Sequence, residues 1–512
     1  MVGARDHARR PRAPRDRARE TPGSRRAAGL DRVGRLDRLR RGSGHPGVAV
    51  EWPLLLAAFL GALIILLLLR VPVAIALLGV NLVGVVWLFG WDAGTRQLVL
   101  SVQGGLSTFV LSPVPLFILM GEVLMASGLA SRALSAVERS MGRLPGRLGL
   151  VTTAGGTLFG ILSGSTLANT ALLGKAFLPQ MLREGYGVRY GMGSILASGG
   201  LAMIIPPSAL AVVWGATAGV AIGPLLIGGL LPGLLMAVNY AIVLIGWSWL
   251  AGRRSRRSAP VVATEGATEG ATVEGRVERS GDQEATRDHE TPDAPPSLLV
   301  DVAPLALLIA LVLGLIFFGV ATPTESAAAG AVGSVVLAAA YRRLGRATMW
   351  SALVGSAKVS AVIFFILAGS DVYSRIMSFS GATSGVIGAL LDVDAGPIVT
   401  LILMQVAVVL LGLFLEQISI MLVTLPFFMP VVEAMGWHPV WFGIIMLINL
   451  QIALTTPPFG MSLFVMKGVA PRGVKLTDVY LAAVPFVLAD VVAIALLILV
   501  PGIALWLPEL ML

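Results

Sequence analysis

From about residue 53 to the C-terminus, apolar runs long enough to cross a hydrocarbon layer recur between short polar loops. In the first half the pattern predicts spans near 54–69, 71–90, 107–130, 191–214 and 225–248. In the second half it predicts spans near 299–320, 322–340, 351–371, 440–465 and 477–508. Segment 149–180 differs: it is apolar on average but holds Thr152, Thr153, Gly155, Gly156, Gly160, Ser163, Gly164, Ser165, Asn169 and Lys175, then Pro179. A lipid-facing helix has little use for that density of small and polar residues, and backbone broken at membrane depth needs protein or a wet cavity around it. A re-entrant hairpin fits, although small residues also occur at ordinary helix–helix interfaces. A second hairpin is predicted at 400–431, and 376–399 reads either as an interfacial helix with a loop or as part of another crossing.

The halves match at a fixed offset of 251 residues. Val71-Pro72-Val73 aligns with Thr322-Pro323-Thr324, Gly79 with Gly330, and Pro179 with Pro430. Gly185-Tyr186 aligns with Gly436-Trp437, and Pro206-Pro207 with Pro457-Pro458. Five crossings per half is an odd number, so the second copy is expected upside down relative to the first. Inverted repeats with interrupted helices mark secondary transporters whose site lies at the repeat interface. The expected fold is therefore an all-α polytopic membrane protein of two inverted repeats, each about five helices plus a re-entrant hairpin. The first repeat is assigned to 51–250 and the second to 298–512. A duplicated membrane scaffold that transports nothing is the contrasting reading.

Composition agrees with this architecture: 56% of residues are hydrophobic and 13% charged, against about 25% charged in soluble domains. The mean hydropathy is +0.85. With no cysteine, disulfides, thiolate metal sites and Cys nucleophiles are excluded, and the four histidines lie far apart. The net charge of +9 sits in residues 1–45, which hold 14 arginines and 5 acidic residues; the remainder balances. The tail 1–50 has too few large apolar residues to fold alone and no apolar core of a signal peptide. It reads as a disordered arm, as a lipid or nucleic-acid contact, or as upstream sequence wrongly joined to a protein starting near Val48 or Val50. The chain as a whole gives no reason to expect a nucleic-acid partner. Residues 251–297 have the composition of a disordered polar linker. The Arg clusters of 131–147, of the linker's start and of 342–346, with Lys467, Arg472 and Lys475, all fall inside if residue 51 starts outside and each hairpin returns to its own side.

Interrupted helices leave N–H and C=O groups that an ion or an anionic substrate can satisfy. The first candidate is Ser163-Gly164-Ser165-Thr166 with Asn169, whose oxygens are hard donors suited to a small cation and whose N–H groups suit a carboxylate. The second is Ile205-Pro206-Pro207-Ser208, where Pro207 lacks the N–H that a carbonyl one turn upstream needs. In the second half Thr455-Thr456-Pro457-Pro458 is chemically parallel, while the positions aligned with Ser-Gly-Ser are Phe414-Leu415-Glu416, followed by Gln417 and Ser419. Ionisable residues within spans are functional hypotheses by default. Glu416 abuts a hairpin tip, and Glu122 and Glu325 are either substrate-facing or structural, Glu325 standing where a helix start would cap it. Asp371 and Arg375 are spaced as a local pair, and Asp490 lies in the last span. There is no G-x-x-x-x-G-K-[ST] motif, so the energy of transport is expected from an ion gradient or from another subunit. An intramembrane protease would need a catalytic dyad, but no GxGD occurs and no histidine falls among the clustered serines, so no enzyme is expected. A channel would need continuous pore-lining polarity, which these spans lack.

Gly160-Ile161-Leu162-Ser163-Gly164-Ser165, the Gly185-Tyr186 turn, Ile205-Pro206-Pro207-Ser208, Ala321-Thr322-Pro323-Thr324-Glu325 and Thr456-Pro457-Pro458 occur in an order that resembles one family. It is the large membrane (M, DctM-like) subunit of the tripartite ATP-independent periplasmic (TRAP) transporters, and the resemblance covers about 51–250 and 298–512. It implies a bacterial inner-membrane secondary transporter of the ion-transporter-superfamily elevator type, without organic cofactor and coupled to sodium. It also implies a small membrane (Q) subunit, a periplasmic substrate-binding (P) protein and an organic acid, such as a C4-dicarboxylate, as substrate. Carried onto this chain, the sodium sites fall near Ser163–Asn169 with Ile205–Ser208, and near Glu416–Ser419 with Thr455–Pro458. The second half has no Ser-Gly-Ser, which sets it apart from the first. A stand-alone ion-coupled organic-anion carrier without a binding protein is the other transport reading.

Overall fold

The computed structural model describes residues 52–69, 71–140, 146–163, 165–255, 297–392 and 396–511. The Arg-rich tail 1–50 and most of the polar segment 251–297 lie outside the described residues.

Among the described residues the regular structure is helical. The first half runs α1 (Trp52–Leu68), α2 (Val73–Phe89), α3 (Trp91–Leu106), α4 (Pro113–Ala126), α5 (Leu129–Ser140), α6 (Arg147–Ser163), α7 (Thr166–Arg183), α8 (Val188–Ile204), α9 (Ala209–Ala218), α10 (Ile222–Gly228) and α11 (Leu230–Ser255). A π-helical turn, Leu298–Val302, opens the second half. It continues through α12 (Ala303–Phe317), α13 (Pro323–Ala340), α14 (Arg346–Phe379), α15 (Ala382–Asp392), α16 (Gly396–Leu411), α17 (Gln417–Ala434), α18 (Pro439–Thr455), α19 (Met461–Val469), α20 (Leu476–Leu499) and α21 (Gly502–Glu509). Six helical stretches among the described residues are long and apolar enough to cross a membrane, and four shorter apolar helices accompany them. The chain is a multi-pass membrane protein.

The 251-residue spacing extends to helix boundaries. Helices α7 and α17 start and end 251 residues apart, and so do α8 and α18. The halves part company at α14, a single helix of 34 residues, about 51 Å long at 1.5 Å per residue. Its counterpart is broken between α3 and α4. Pro113 and Pro115 stand there, where the second half has Phe364 and Ile366, and proline both lacks an N–H and clashes with the preceding turn.

Helices α8 and α18 form the centre: every residue from Tyr190 to Ile204 and from Val440 to Thr455 is buried, as expected for helices apolar on all sides. Around α8, the side chains of Val151, Leu173, Phe177, Ile195, Leu463 and Ala482 join α6, α7, α19 and α20 into one core. Glycines set the closest approaches. A methyl group on Gly156 would lie 2.4 Å from Leu173 Cδ1, and one on Gly160 2.5 Å from Ala202 Cβ. Gly156 and Gly160 of α6 therefore serve as packing points against α7 and α8.

Some sequence expectations change. The spans at 191–214 and 440–465 are each two helices, parted at the Pro-Pro pairs, and α8 and α9 are bent by 45°. The arginine-bearing stretch 131–147, expected between two spans, holds most of α5, whose buried face is Leu129, Ala130, Ala133, Ala136 and Val137, a helical period that its arginines obscure. The span expected at 351–371 runs on to Phe379, so Asp371 and Arg375 pair at 3.0 Å within α14. The ambiguous 376–399 comprises the end of α14, the short α15 and the start of α16. Helix α11 continues past residue 250 to Ser255.

Candidate functional site

Four helix interruptions outline the candidate site. The first is the tip between α6, which ends at Ser163, and α7, which begins at Thr166. Ser165 takes extended backbone angles and its hydroxyl accepts a hydrogen bond from Ala168 N at 3.3 Å, capping α7. This is what a serine before a helical run does, because the first N–H groups of a helix have no partner inside it. Gly164 lies outside the described residues. One turn into α7, Asn169 is fully buried; its Nδ2 donates to Ser198 Oγ at 3.1 Å, while its Oδ1 has no hydrogen-bond partner. That oxygen is an unused acceptor at a hairpin tip.

The second interruption separates α8 from α9 at Pro206-Pro207, joined by a cis peptide bond. Neither proline has an N–H to give the last turn of α8. The Ser208 hydroxyl donates to Met203 O at 2.5 Å and accepts from Ala211 N at 3.2 Å, so it also caps α9. The carbonyl that Pro207 leaves free is thus satisfied by Ser208 itself, a use the sequence reading did not foresee.

The third is the tip before α17. Glu416 caps that helix by accepting from Ser419 N at 3.1 Å and Ser419 Oγ at 2.9 Å. The fourth parts α18 from α19 at Pro457-Pro458, again cis. There Thr455 Oγ donates to Gln451 O at 2.8 Å and Thr456 Oγ to Ile452 O at 2.6 Å. A hydroxyl that has given its proton to a backbone carbonyl turns only lone pairs outward, the arrangement a cation prefers. Tyr480 Oη donates to Pro458 O at 2.6 Å and braces this break against α20.

The breaks meet. Gln417 Nε2 donates to Thr166 Oγ1 at 3.0 Å, tip to tip, and lies 3.4 Å from Met203 Sδ in the last turn of α8. A methyl on Gly412 would stand 2.4 Å from Ala453 Cβ, so the second tip also presses on the end of α18. The N-termini of α7 and α17 thus converge with the C-terminal end of α8, bringing positive and negative helix ends to one place.

Glu122 and Glu325 have no contact of this kind. Glu122 packs in α4 over Gly355 of α14, and a methyl there would lie 2.6 Å from its Oε2. Glu325 completes a capping box with Thr322: Thr322 N donates to its Oε2 at 2.8 Å, and Glu325 N donates back to Thr322 Oγ1 at 3.3 Å. Ser198 and Met203 were not singled out from the sequence. Ser194 and Ser198, spaced one turn apart before Gly199-Gly200, were the available signal. Away from the tips, a cavity of about 360 Å³ opens between α14 and the later turns of α17, lined among others by Thr108, Thr217, Ser370, Asp371, Thr383 and Pro426.

Known proteins are similar to this chain over most of its length. Over 446 residues the chain is 30% identical to the ectoine TRAP transporter large permease protein TeaC of Halomonas elongata, covering 87% of this chain and 97% of that one. The 2,3-diketo-L-gulonate TRAP transporter large permease protein YiaN of Escherichia coli is 29% identical over the same shares. The C4-dicarboxylate TRAP transporter large permease protein DctM of Pseudomonas aeruginosa is 27% identical, over 82% of this chain and 91% of its own. Among solved structures, the YdaH transporter of Alcanivorax borkumensis superposes with a TM-score of 0.58 at 14% identity, over 81% of this chain and 89% of that one. The Neisseria gonorrhoeae MtrF structure gives 0.55 at 11% identity, over 80% and 85%. Both likenesses concern the fold. The model of the tripartite ATP-independent periplasmic transporter, DctM component, matches residues 60–503, and the chain therefore belongs to that family of large permease subunits, a family of transport subunits rather than enzymes.

Proposed function

We propose that the chain is the sodium-coupled permease through which an organic acid crosses the inner membrane, and that its two halves are inverted repeats moving their hairpins in an elevator-like manner. The observation that carries this reading is the meeting of the interruptions at Thr166, Met203 and Gln417. Helix N-termini attract carboxylate, and carbonyls and hydroxyls at helix C-termini coordinate small cations, the division of labour found where transporters interrupt their helices. The sodium neighbourhoods are Ser163–Thr166 and Asn169 with Pro206, Pro207 and Ser208, and Glu416, Gln417 and Ser419 with Thr455, Thr456 and Pro457. Sodium at these tips orders them, which completes a pocket for the substrate carboxylate between α7 and α17.

Two of the relatives above are named for carboxylates, 2,3-diketo-L-gulonate and C4-dicarboxylates, which favours an organic acid here. In a tripartite system a periplasmic binding protein delivers the substrate, and a small membrane subunit completes the scaffold within the lipid bilayer. The exposed apolar face of α1 and α2, which includes Leu54, Ile65, Val83 and Trp87, is available to lipid or to such a subunit. The test is uptake by the reconstituted protein with a panel of organic acids, with and without sodium and the binding protein. Uptake that needs both supports the proposal. Sodium-driven uptake without a binding protein would identify a stand-alone carrier, and no uptake under any condition would return the chain to a scaffold role.

A further inference from the structure

Asp490 stands in the middle of α20 with 1% of its surface exposed. Its carboxylate accepts a hydrogen bond from the hydroxyl of Tyr240 on α11, which is 0% exposed. Asn239 Nδ2 donates to Ala489 O at 3.3 Å, so α11 grips α20 at two consecutive residues. The Phe486 ring meets Tyr240 edge-on at 5.6 Å and keeps the surroundings apolar.

No cation of the described residues pairs with Asp490. The helices packed on α20 are α8, α11, α18, α19 and α21. On α8, Arg189 is engaged with Asp478 at 2.8 Å, and both Asp478 and Tyr480 lie near the start of α20. Lys467 is in the last turn of α19, at that same end. Helix α18 has no charged residue, and Glu509 ends α21. Tyr190 sits beside Arg189, and its hydroxyl donates to Gly146 O at 3.0 Å. Tyr240 is thus the titratable group facing Asp490.

A carboxylate taken from water into such a place costs several kcal/mol unless a counter-charge accompanies it. The neighbourhood offers more than one oxygen. A methyl on Gly200 would lie 2.7 Å from Tyr240 Oη and 2.8 Å from Gln451 Cγ, so the two side chains close together over that glycine. Gln451 is 1% exposed; its Nε2 donates to Leu196 O at 3.1 Å, and its Oε1 has no partner. A side chain with an orphaned buried acceptor thus packs beside the tyrosine that holds a carboxyl group without a counter-charge.

We propose that Asp490, with Tyr240 and Gln451, forms a monovalent-cation site in the centre of the bundle, bordering the tip residue Thr166 through Gln451, and that it takes up and releases a proton or a sodium ion. This site rests on charge balance in the core, and its readout is the Asp490 carboxyl group rather than uptake through the tips.

The test is infrared difference spectroscopy on the full-length protein in lipid nanodiscs. Wild type and Asp490→Asn are compared while pH is varied from about 5 to about 9 and, separately, while sodium is replaced by N-methylglucamine. A protonated-carboxyl band missing from the variant and vanishing within that pH range identifies a proton site. A carboxylate band that shifts with sodium, with a sodium-dependent rise in unfolding temperature that Asp490→Asn abolishes, identifies a sodium site. Tyr240→Phe keeps the carboxyl group and should displace the transition of the same band, which assigns it even if Asp490→Asn does not fold. A carboxyl group that stays protonated throughout and answers neither to sodium nor to Tyr240→Phe would overturn the proposal.

Discussion

Gln417 Nε2 and Thr166 Oγ1 are 3.0 Å apart, and the two residues occupy the same position in the two halves of the chain, 251 residues from one another. Each is the first residue of the helix that follows its tip. Contact between equivalent residues is what the proposed two-fold relation between the halves would produce at its axis. Gly200 and Gln451, also 251 residues apart, meet in the same way deeper in the core.

The tip-to-tip hydrogen bond gives the first prediction. Thr166 is 5% exposed, so Gln417→Leu leaves a shielded hydroxyl without its donor, a loss of about 1 kcal/mol. If the tips must meet for ions to bind, half-saturation of uptake by sodium rises roughly five-fold, while protein yield and unfolding temperature change little. Sodium titration of uptake decides it. Unaltered sodium dependence would make the contact incidental.

A glycine substitution separates packing from chemistry. A Cβ on Gly160 would lie 2.5 Å from Ala202 Cβ and 3.1 Å from Asn169 Nδ2. Gly160→Ala should therefore destabilise by about 1–3 kcal/mol, the usual range for overpacking, and displace Asn169 from Ser198. Gly246 on α11 has nothing within 4 Å. Gly246→Ala should be neutral or stabilise by about 0.5–1 kcal/mol. Thermal unfolding of the two variants side by side checks the contrast.

What could be read in advance followed from local chemistry. Pro206-Pro207 and Pro457-Pro458 announce interruptions because two adjacent residues lack N–H groups, and Ser165 announces a helix start because of what its side chain can accept. The partners these residues find were not readable. Asn169 meets Ser198 and Gln417 meets Met203 only after hairpins and central helices pack, and sequence spacing carries no record of that. Helix α5 escaped notice because its apolar positions are mostly alanines among arginines, a weak signal beside the long apolar runs. Pro113 and Pro115 were visible, yet the preceding α3, with Asp92, Arg96, Gln97 and Gln103, is too polar to register as part of a membrane pattern.

The third prediction concerns the ion pair that ties the halves together. Arg132 Nε donates to Asp301 Oδ1 at 2.7 Å, and the Asp301 side chain is 1% exposed. Removing the arginine leaves a carboxylate buried without that partner, and Arg132→Ala is expected to lose about 3–5 kcal/mol. Arg189→Ala, whose pair with Asp478 is exposed on the arginine side at 49%, should have a small effect. Unfolding temperatures in one lipid and detergent mixture give the comparison, and similar losses for both would contradict the role assigned to burial.

The two caps at the tips make the last prediction, because they differ in charge. Ser165 and Glu416 hold equivalent positions and each accepts a helix N–H, but Glu416 adds a carboxylate where Ser165 has a neutral hydroxyl. Ser165→Ala removes a cap of about 0.5–2 kcal/mol together with one oxygen, so sodium-dependent uptake should weaken while assembly persists. Glu416→Gln keeps an oxygen for Ser419 N and removes only the charge. If the carboxylate helps to hold a cation, this variant raises sodium half-saturation about ten-fold, equivalent to about 1.4 kcal/mol, with little change in unfolding temperature. If it serves only as a cap, uptake keeps the wild-type sodium and pH dependence, and the sodium neighbourhood of the second half must then be built from Gln417, Ser419, Thr455 and Thr456 without a formal charge.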